Sequence, residues 1–177
     1  MTAVSNVSLY LDVDGVICPF GPTGATDWGT GWKQANAGLL EVAYAGEVVE
    51  GLNQLARTPG VRCAWLTSWL DYAPEYLCPA IGLAGKDWPV LAGAGVGAGE
   101  GWWKLLAIQH HIESTGPDRV VWIDDQLRFE QEAGDWARFL GGRFLLISPH
   151  PRRGLSKTEL ETVRAFVGSA GVLPLAR

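Results

Sequence analysis

Short runs of apolar residues alternate along the chain with longer segments in which apolar positions recur every three or four residues. Five apolar runs predict β-strands, at about residues 7–12, 61–66, 88–91, 119–123 and 143–148. The segments with helical spacing predict α-helices, at about residues 47–57, 72–80, 100–113, 127–140 and 156–167. Ser156 and Glu159 form a capping box that opens the last of these helices. Strand and helix therefore alternate along most of the sequence.

This alternation predicts an α/β fold, a three-layer, Rossmann-like arrangement with a mostly parallel five-stranded sheet and helices on both faces. The 177 residues are enough for one domain with a sizeable core, so we expect a single domain over residues 1–177. Residues 16–33 are rich in proline and glycine, which break regular elements, and we expect them to form a flap beside the end of the first strand. Residues 93–99 are expected to form a glycine-rich link.

The composition narrows the class of protein. Hydrophobic residues make up 47% of the chain and charged residues 19%, as in globular proteins rather than disordered ones. The formal charge of −5 gives no basic footprint, so nucleic acid is a possible partner that the net charge does not indicate. The three cysteines fit neither a disulfide framework nor a zinc site. Because we recognise no signal peptide and no apolar run of about 20 residues, we expect a cytoplasmic protein without a membrane partner.

Polar groups of catalytic type follow several predicted strands or open the helices after them. They are Asp12 and Asp14, Thr67 and Ser68, Lys104, and Asp124 and Asp125. Each group alone has an ordinary explanation as a turn, a helix cap or a solvated side chain. In a parallel sheet, however, the carboxyl ends of all strands lie at one edge, which gathers these groups in one place. Four carboxylates there repel one another and need a cation, and oxygen ligands favour Mg²⁺.

The order of these groups resembles that of the haloacid dehalogenase (HAD) superfamily. That order is Asp-x-Asp-Gly after the first strand, Thr or Ser after the second, a lysine on a later helix and an acidic pair after the fourth strand. The resemblance covers about residues 7–148. Response-regulator receivers use similar groups, but their acidic pair follows the first strand and their lysine follows the last, so the order does not fit them. An Asp at the second position of the first motif marks phosphatase-type members, so the resemblance implies hydrolysis of a phosphoester.

The resemblance also implies a role for each residue. Asp12 resembles the nucleophile that forms an aspartyl-phosphate, and Asp14 resembles the general acid and base. The hydroxyls of Thr67 and Ser68 are expected to bind phosphoryl oxygens. Lys104 is expected to neutralise the charge of the nucleophile and the phosphate.

The same resemblance implies a Mg²⁺ site. The expected ligands are the Asp12 side chain, the backbone carbonyl of Asp14 and one member of the acidic pair. We favour Asp125 as the direct ligand and Asp124 as a residue that orients its neighbours.

Many HAD enzymes carry a cap domain inserted after the first or the third strand. The intervals 14–61 and 91–104 are too short for an added domain, which needs about 50 residues. We therefore expect no separate cap domain and an open site, which accepts the phosphate end of a large substrate or is covered by a neighbouring subunit. Trp28 in the flap and Trp69 after Thr67 are candidates for stacking on a flat group; the alternative is that they cover the edge of the core.

These inferences predict a Mg²⁺-dependent phosphomonoesterase of unknown substrate. The acidic charge favours a small metabolite, whereas the missing cap and the tryptophan-rich flap favour a polynucleotide end, a nucleotide or another large substrate; a phosphorylated protein is a third class. Residues 154–156 and the Trp-Ile-Asp-Asp stretch also resemble small HAD-domain proteins, and some related domains occur in RNA-repair proteins. The alternative is a non-catalytic HAD-fold protein that binds phosphate and Mg²⁺ or acts as a scaffold.

Overall fold

The structure, a computed structural model, describes residues 5–21, 27–92 and 101–169. Its strands and helices, in chain order, are β1 (Val7–Leu11), β2 (Trp32–Ala37), β3 (Leu40–Ala45), α1 (Gly46–Arg57), β4 (Val61–Trp65), α2 (Cys78–Ile81), α3 (Trp103–Thr115), β5 (Arg119–Ile123), α4 (Gln131–Leu140), β6 (Phe144–Ile147) and α5 (Lys157–Gly168). The order of these elements agrees with most of the predicted alternation. The predicted link at 93–99 and part of the predicted flap lie outside the described residues.

The central sheet has four strands in the order β4–β1–β5–β6, and all neighbouring strands are parallel. All five residues of β1 are buried, because β1 has a strand on each side and helices above and below. One face of the sheet packs on α1 and α5 through side chains such as Leu52 and Val163. The other face packs on α3 and α4 through side chains such as Ile108 and Ala133. The three-layer α/β, Rossmann-like fold is therefore confirmed.

The predicted strand at 88–91 contributes a single bridge instead of a full strand. Val90 pairs in parallel with Trp65 at the outer edge of β4. The backbone N–H of Trp65 donates to the carbonyl of Pro89 at 2.8 Å, and the N–H of Leu91 donates to the carbonyl of Trp65 at 2.9 Å. Pro89 has no N–H with which to extend the ladder, so the sheet has four strands and one bridged residue at this edge.

An antiparallel hairpin of β2 and β3 precedes α1, where the sequence predicted only a flap at 16–33 and then a helix. Its two-residue loop is Gly38–Leu39, and Gly38 takes the positive φ of 78° that such loops need. The strand β2 carries exposed polar residues and few β-branched ones, so its sequence lacks the usual strand pattern. The structure therefore adds a hairpin at residues 32–45, most of which the sequence analysis left without a predicted element.

Two predicted helices are divided in the structure. The segment 72–80 begins as a π-helical turn, Ala73–Leu77, and continues into the short α2. The segment 127–140 begins as a 3₁₀ turn, Asp125–Phe129, before α4. The capping box of Ser156 and Glu159 is present at the start of α5, as predicted. Within the described ranges, none of the helices is long and apolar enough to cross a membrane.

Candidate functional site

Three acidic side chains meet beyond the carboxyl ends of β1 and β5. Asp12 follows β1, and Asp124 and Asp125 follow β5. The two strands are parallel neighbours with Leu11 paired to Ile123, so the residues that follow them are also neighbours. One carboxylate oxygen from each of the three residues lies within 4.8 Å of the others. We call these three residues the acidic cluster, and together they could hold a metal ion.

Lys104 joins two members of the acidic cluster. Its Nζ lies 2.7 Å from Oδ2 of Asp12 and 2.6 Å from Oδ2 of Asp124, and all three side chains are at most 5% exposed. Lys104 is the second residue of α3, so the start of this helix delivers the ammonium to the ends of β1 and β5. The rings of Trp102 and Trp103 lie 5.8 and 5.9 Å from Nζ, at the distance of cation–π contacts that stabilise the ammonium.

The electrostatics of the site show an excess of negative charge. Burial alone lowers the pKa of Lys104, but the charges and hydrogen bonds of Asp12 and Asp124 raise it above its usual range. Burial raises the pKa of Asp124, and the charge of Asp12 raises it further against the opposing effect of Lys104. The pKa of Asp125 is raised by the same two causes in the same order. One buried ammonium therefore does not neutralise the acidic cluster, as expected for a site that holds a cation.

Backbone hydrogen bonds fix two of the carboxylates. Oδ1 of Asp12 accepts from the N–H of Val13 at 2.7 Å, and Oδ1 of Asp124 accepts from the N–H of Gln126 at 2.9 Å. Asp124 thus uses one oxygen for the backbone and the other for Lys104. Asp125 instead lies against Gly15, where an added Cβ would come within 2.5 Å of Oδ2. Gly15 also has a φ of 69°, so both its conformation and its lack of a side chain are needed there.

Asp14 lies in a tight turn after β1 and is half-buried. In this turn the N–H groups of Ile17 and Cys18 both donate to the carbonyl of Val13. Oδ2 of Asp14 accepts a hydrogen bond from Nε1 of Trp69 at 3.0 Å. Burial raises the pKa of the Asp14 carboxyl, and the hydrogen bond from Trp69 opposes that shift. Asp14 is therefore held by the loop after β4.

That loop begins with Leu66 and Thr67. The N–H of Leu66 donates to the carbonyl of Leu11 at 3.0 Å, which places the end of β4 beside the end of β1. Thr67 is fully buried, and its Oγ1 accepts from the N–H of Trp69 at 3.2 Å. Ser68 is exposed. The structure thus brings Thr67 to the edge of the sheet where Asp12 and Asp14 lie, as the order of motifs predicted, and Trp69 lies there with it.

Trp28, the other tryptophan that the sequence offered for substrate stacking, packs within the core. It is 5% exposed, and its Nε1 donates to the carbonyl of Leu155 at 2.9 Å. The ammonium of Lys157 lies 5.4 Å from the centre of its ring. These contacts tie the predicted flap to the start of α5.

Two residues that the sequence did not indicate hold the loop of Asp125. Nε of Arg128 donates to the carbonyl of Asp125 at 3.3 Å, and the Arg128 guanidinium also reaches the carbonyls of Ser148 and Pro149. Oγ of Ser148 donates to the same Asp125 carbonyl at 3.1 Å. The charge of Arg128 opposes the rise in the pKa of Asp125. In the sequence, the only sign that Arg128 binds the Asp125 loop is its position three residues after Asp125.

Comparison with known proteins identifies the family. A family model described as "HAD domain in Swiss Army Knife RNA repair proteins" matches residues 8–160. HAD domains point to hydrolase activity of the phosphatase type in general, in agreement with the residues gathered at the sheet edge. Neither the comparison with curated proteins nor the comparison with solved structures gave a match. Because the family match covers most of the sequence, the chain belongs to the HAD superfamily, in the family of HAD domains of Swiss Army Knife RNA repair proteins.

Proposed function

We propose that the protein is a Mg²⁺-dependent phosphomonoester hydrolase that forms an aspartyl-phosphate on Asp12. The observation that carries the proposal is the buried arrangement of Asp12, Lys104 and Asp124 beside Asp125. A nucleophile, a cation that offsets its charge and a set of oxygen ligands lie together at the carboxyl edge of a parallel sheet. The family match supports the same class of reaction.

The donor set fits Mg²⁺. This ion binds oxygens at about 2.1 Å, so ligands on opposite sides lie about 4.2 Å apart, compatible with carboxylate oxygens within 4.8 Å of one another. The Asp12 side chain, the Asp14 carbonyl and the Asp125 side chain would hold the ion. Asp12 and Asp124 both use one oxygen for Lys104 and the other for a backbone N–H, so these hydrogen bonds do not choose between ligands. We keep Asp125 as the direct ligand and Asp124 as the orienting residue, as the resemblance implies. When bound, Mg²⁺ would polarise the phosphoryl oxygens and offset their charge.

The proposed reaction has two steps, the transfer of the phosphoryl group to Asp12 and its hydrolysis, and both use side chains of this protein. In the first, a carboxylate oxygen of Asp12 bonds to phosphorus, the bond from phosphorus to the leaving oxygen breaks, and Asp14 gives that oxygen its proton. In the second, the ionised Asp14 takes a proton from water. The water oxygen bonds to phosphorus, the bond to Asp12 breaks, and inorganic phosphate leaves.

The remaining side chains are proposed to bind the phosphoryl group and to orient Asp12. Lys104 holds the Asp12 carboxylate in place and is close enough to offset the charge of a phosphoryl group attached there. Thr67, at the end of β4, is proposed to donate its hydroxyl proton to a phosphoryl oxygen, because in its hydrogen bond with the N–H of Trp69 its Oγ1 is the acceptor and the proton stays free to be donated. Ser68 is exposed beside it and is proposed as a second phosphate contact.

For the substrate, we propose a nucleotide, a polynucleotide end or another large phosphoester. The name of the matching family, which refers to RNA repair proteins, supports the polynucleotide end. The short intervals 14–61 and 91–104, which have no room for a cap domain, support a site that is open to a large molecule. The net charge of −5 leaves a small phosphorylated metabolite as the competing substrate class.

Turnover of a generic aryl phosphate, of nucleotides and of oligonucleotides with 3′ or 5′ phosphates tests the proposal. We expect release of inorganic phosphate that requires Mg²⁺ and that falls by at least about a thousandfold in Asp12→Asn, because the amide cannot act as the nucleophile. Asp135→Asn, on the exposed side of α4, is the matched control and should keep full activity. Binding of Mg²⁺ without turnover of any phosphoester would refute the enzyme and favour the non-catalytic alternative.

A further inference from the structure

We propose that Trp69 is a positioning residue that holds the Asp14 carboxyl in one orientation, so that a fixed oxygen exchanges the proton with substrate and water. The inference rests on the proposed role of Asp14 as general acid and base. The observation that supports it is the hydrogen bond of 3.0 Å that Nε1 of Trp69 donates to Oδ2 of Asp14. The sequence left Trp69 as a candidate for substrate stacking or as a cover for the core edge, whereas in the structure its N–H points at the carboxyl group of Asp14.

The loop after β4 is built to aim this indole. Oγ1 of Thr67 accepts from the N–H of Trp69, and the carbonyl of Thr67 accepts from the N–H of Leu70, both at 3.2 Å. Leu70 has a φ of 48°, the one positive φ of a non-glycine residue in the described part of the chain. A branched side chain rarely adopts this conformation, and it persists here because the surrounding hydrogen bonds determine the turn. The N–H of Tyr72 closes the loop on the carbonyl of Trp69 at 3.0 Å.

The chemistry of the indole determines which oxygen carries the proton. Nε1–H is a donor only, so the oxygen it contacts must act as an acceptor. When Asp14 is protonated, Oδ2 keeps its lone pair towards Trp69 and the proton lies on Oδ1. Oδ1 therefore gives the proton to the leaving oxygen when the phosphorus–oxygen bond breaks, and it receives the proton of the attacking water in the second step. Trp69 itself neither gains nor loses a proton.

The dependence of kcat/KM on the leaving group tests this role. An aryl phosphate with an electron-withdrawing ring leaves without a proton, whereas an alkyl phosphate needs one from the general acid. We expect Trp69→Phe to lower kcat/KM about tenfold for the alkyl phosphate and less than about twofold for p-nitrophenyl phosphate, because only the first reaction needs a well-placed proton. Asp14→Asn is the reference and should show the same selectivity more strongly. Trp136→Phe, which removes a partly buried indole from α4, should change neither value.

Replacement of Trp69 by its benzothiophene analogue separates the N–H from the shape of the ring. This variant keeps the ring system and lacks the donor, so it should reproduce the selective loss even where Trp69→Phe disturbs folding. An equal loss for both substrates, seen as a rise in KM, would overturn the inference and make Trp69 a substrate contact. Unchanged kinetics in both variants would overturn it as well. An inert wild-type protein would instead refute the proposed function, which keeps the two failures distinguishable.

Discussion

The acidic cluster with Lys104 contrasts with the segment between the turn after Asp14 and α1, which comprises residues 17–45 and is described at 17–21 and 27–45. In the first region, the side chains of Asp12, Asp124 and Lys104 are buried and bound to one another or to the backbone. In the second, large apolar side chains point to solvent: Phe20 is 61% exposed, Leu40 51% and Leu39 88%. The side chains of the acidic cluster and Lys104 are placed by the ends of β1 and β5 and by the start of α3. The exposed side chains of the segment lie on the two-stranded hairpin and the irregular backbone before it, where sequence can change at less cost to the fold than in the buried sheet.

Of the substitutions that test this contrast, Lys104→Met should have the largest effect on stability. The substitution leaves two buried carboxylates without their cation, so we expect the free energy of unfolding to fall by about 3–5 kcal/mol in the absence of divalent ions. Urea unfolding in the presence of a chelator measures this change. Phosphate release should also fall sharply, since the nucleophile loses its partner.

Lys157→Met is the control for that substitution. Lys157 is exposed and lies above Trp28, so its loss should change the free energy of unfolding by less than about 0.5 kcal/mol. Equal stability losses in the two variants would mean that Lys104 contributes no more than a surface lysine, which would contradict the buried ion pairs.

Asp12, Asp124, Asp125 and Lys104 were predictable because their positions depend only on topology. A parallel sheet fixes where each strand ends, and the register of β1 with β5 then brings Asp12 to the acidic pair. The HAD resemblance drawn from these residues is confirmed by the family match. The roles in catalysis and metal binding stay predictions.

The hairpin and the contacts of the tryptophans could not be predicted in the same way. The sequence of β2 has no strand pattern, and β2 takes its form from pairing with β3. The indole of Trp28 lies in the core and that of Trp69 on Asp14 because of the local turns, such as the positive φ at Leu70. In a helix or strand, the period of apolar residues indicates which way a side chain points. Irregular backbone has no such period, so the direction of these indoles could not be predicted.

A smaller effect should follow from Mg²⁺ itself. Metal that binds only the folded protein raises the free energy of unfolding, by about 2.7 kcal/mol at a concentration one hundred times its Kd. Asp125→Asn should abolish this increase. Without metal, the same variant should be at least as stable as the wild type, because one of the mutually repelling carboxylates is gone.

Thermal unfolding of the wild type, Asp125→Asn and Asp135→Asn with Mg²⁺ and with a chelator measures both effects. The exposed Asp135 variant should respond to Mg²⁺ as the wild type does. A full response to Mg²⁺ in Asp125→Asn would remove Asp125 from the ligand set and would shift attention to Asp124.

In the segment between β1 and α1, Trp28→Phe should affect stability and leave catalysis intact. The variant loses the hydrogen bond to the buried carbonyl of Leu155, which costs about 1–3 kcal/mol when an acceptor is left unpaired. We expect kcat/KM to stay within about twofold, since the contacts of Trp28 are packing contacts. Leu39→Ser at the hairpin tip is the stability control. A higher KM at unchanged stability would instead support the stacking role that the sequence suggested for Trp28.

The smallest effect is a dependence of stability on alkaline pH. It tests whether the turn around Cys18, at the start of this segment, stays as inaccessible to solvent as the strand β4 around Cys63. Burial raises the pKa of the Cys18 thiol to about 12, with a further contribution from the charge of Asp14, and burial raises that of Cys63 in β4 to about 12. Above the usual thiol pKa of 9.0, the unfolded chain loses these protons and the folded chain keeps them. The free energy of unfolding therefore falls as pH rises, by up to about 1.4 kcal/mol per pH unit for each thiol.

Cys18→Ala and Cys63→Ala should each reduce this slope equally when unfolding is compared between about pH 8 and about pH 10. A reduced slope in Cys63→Ala alone would show that Cys18 already ionises in the folded protein, and that the turn after Asp14 opens where the sheet does not.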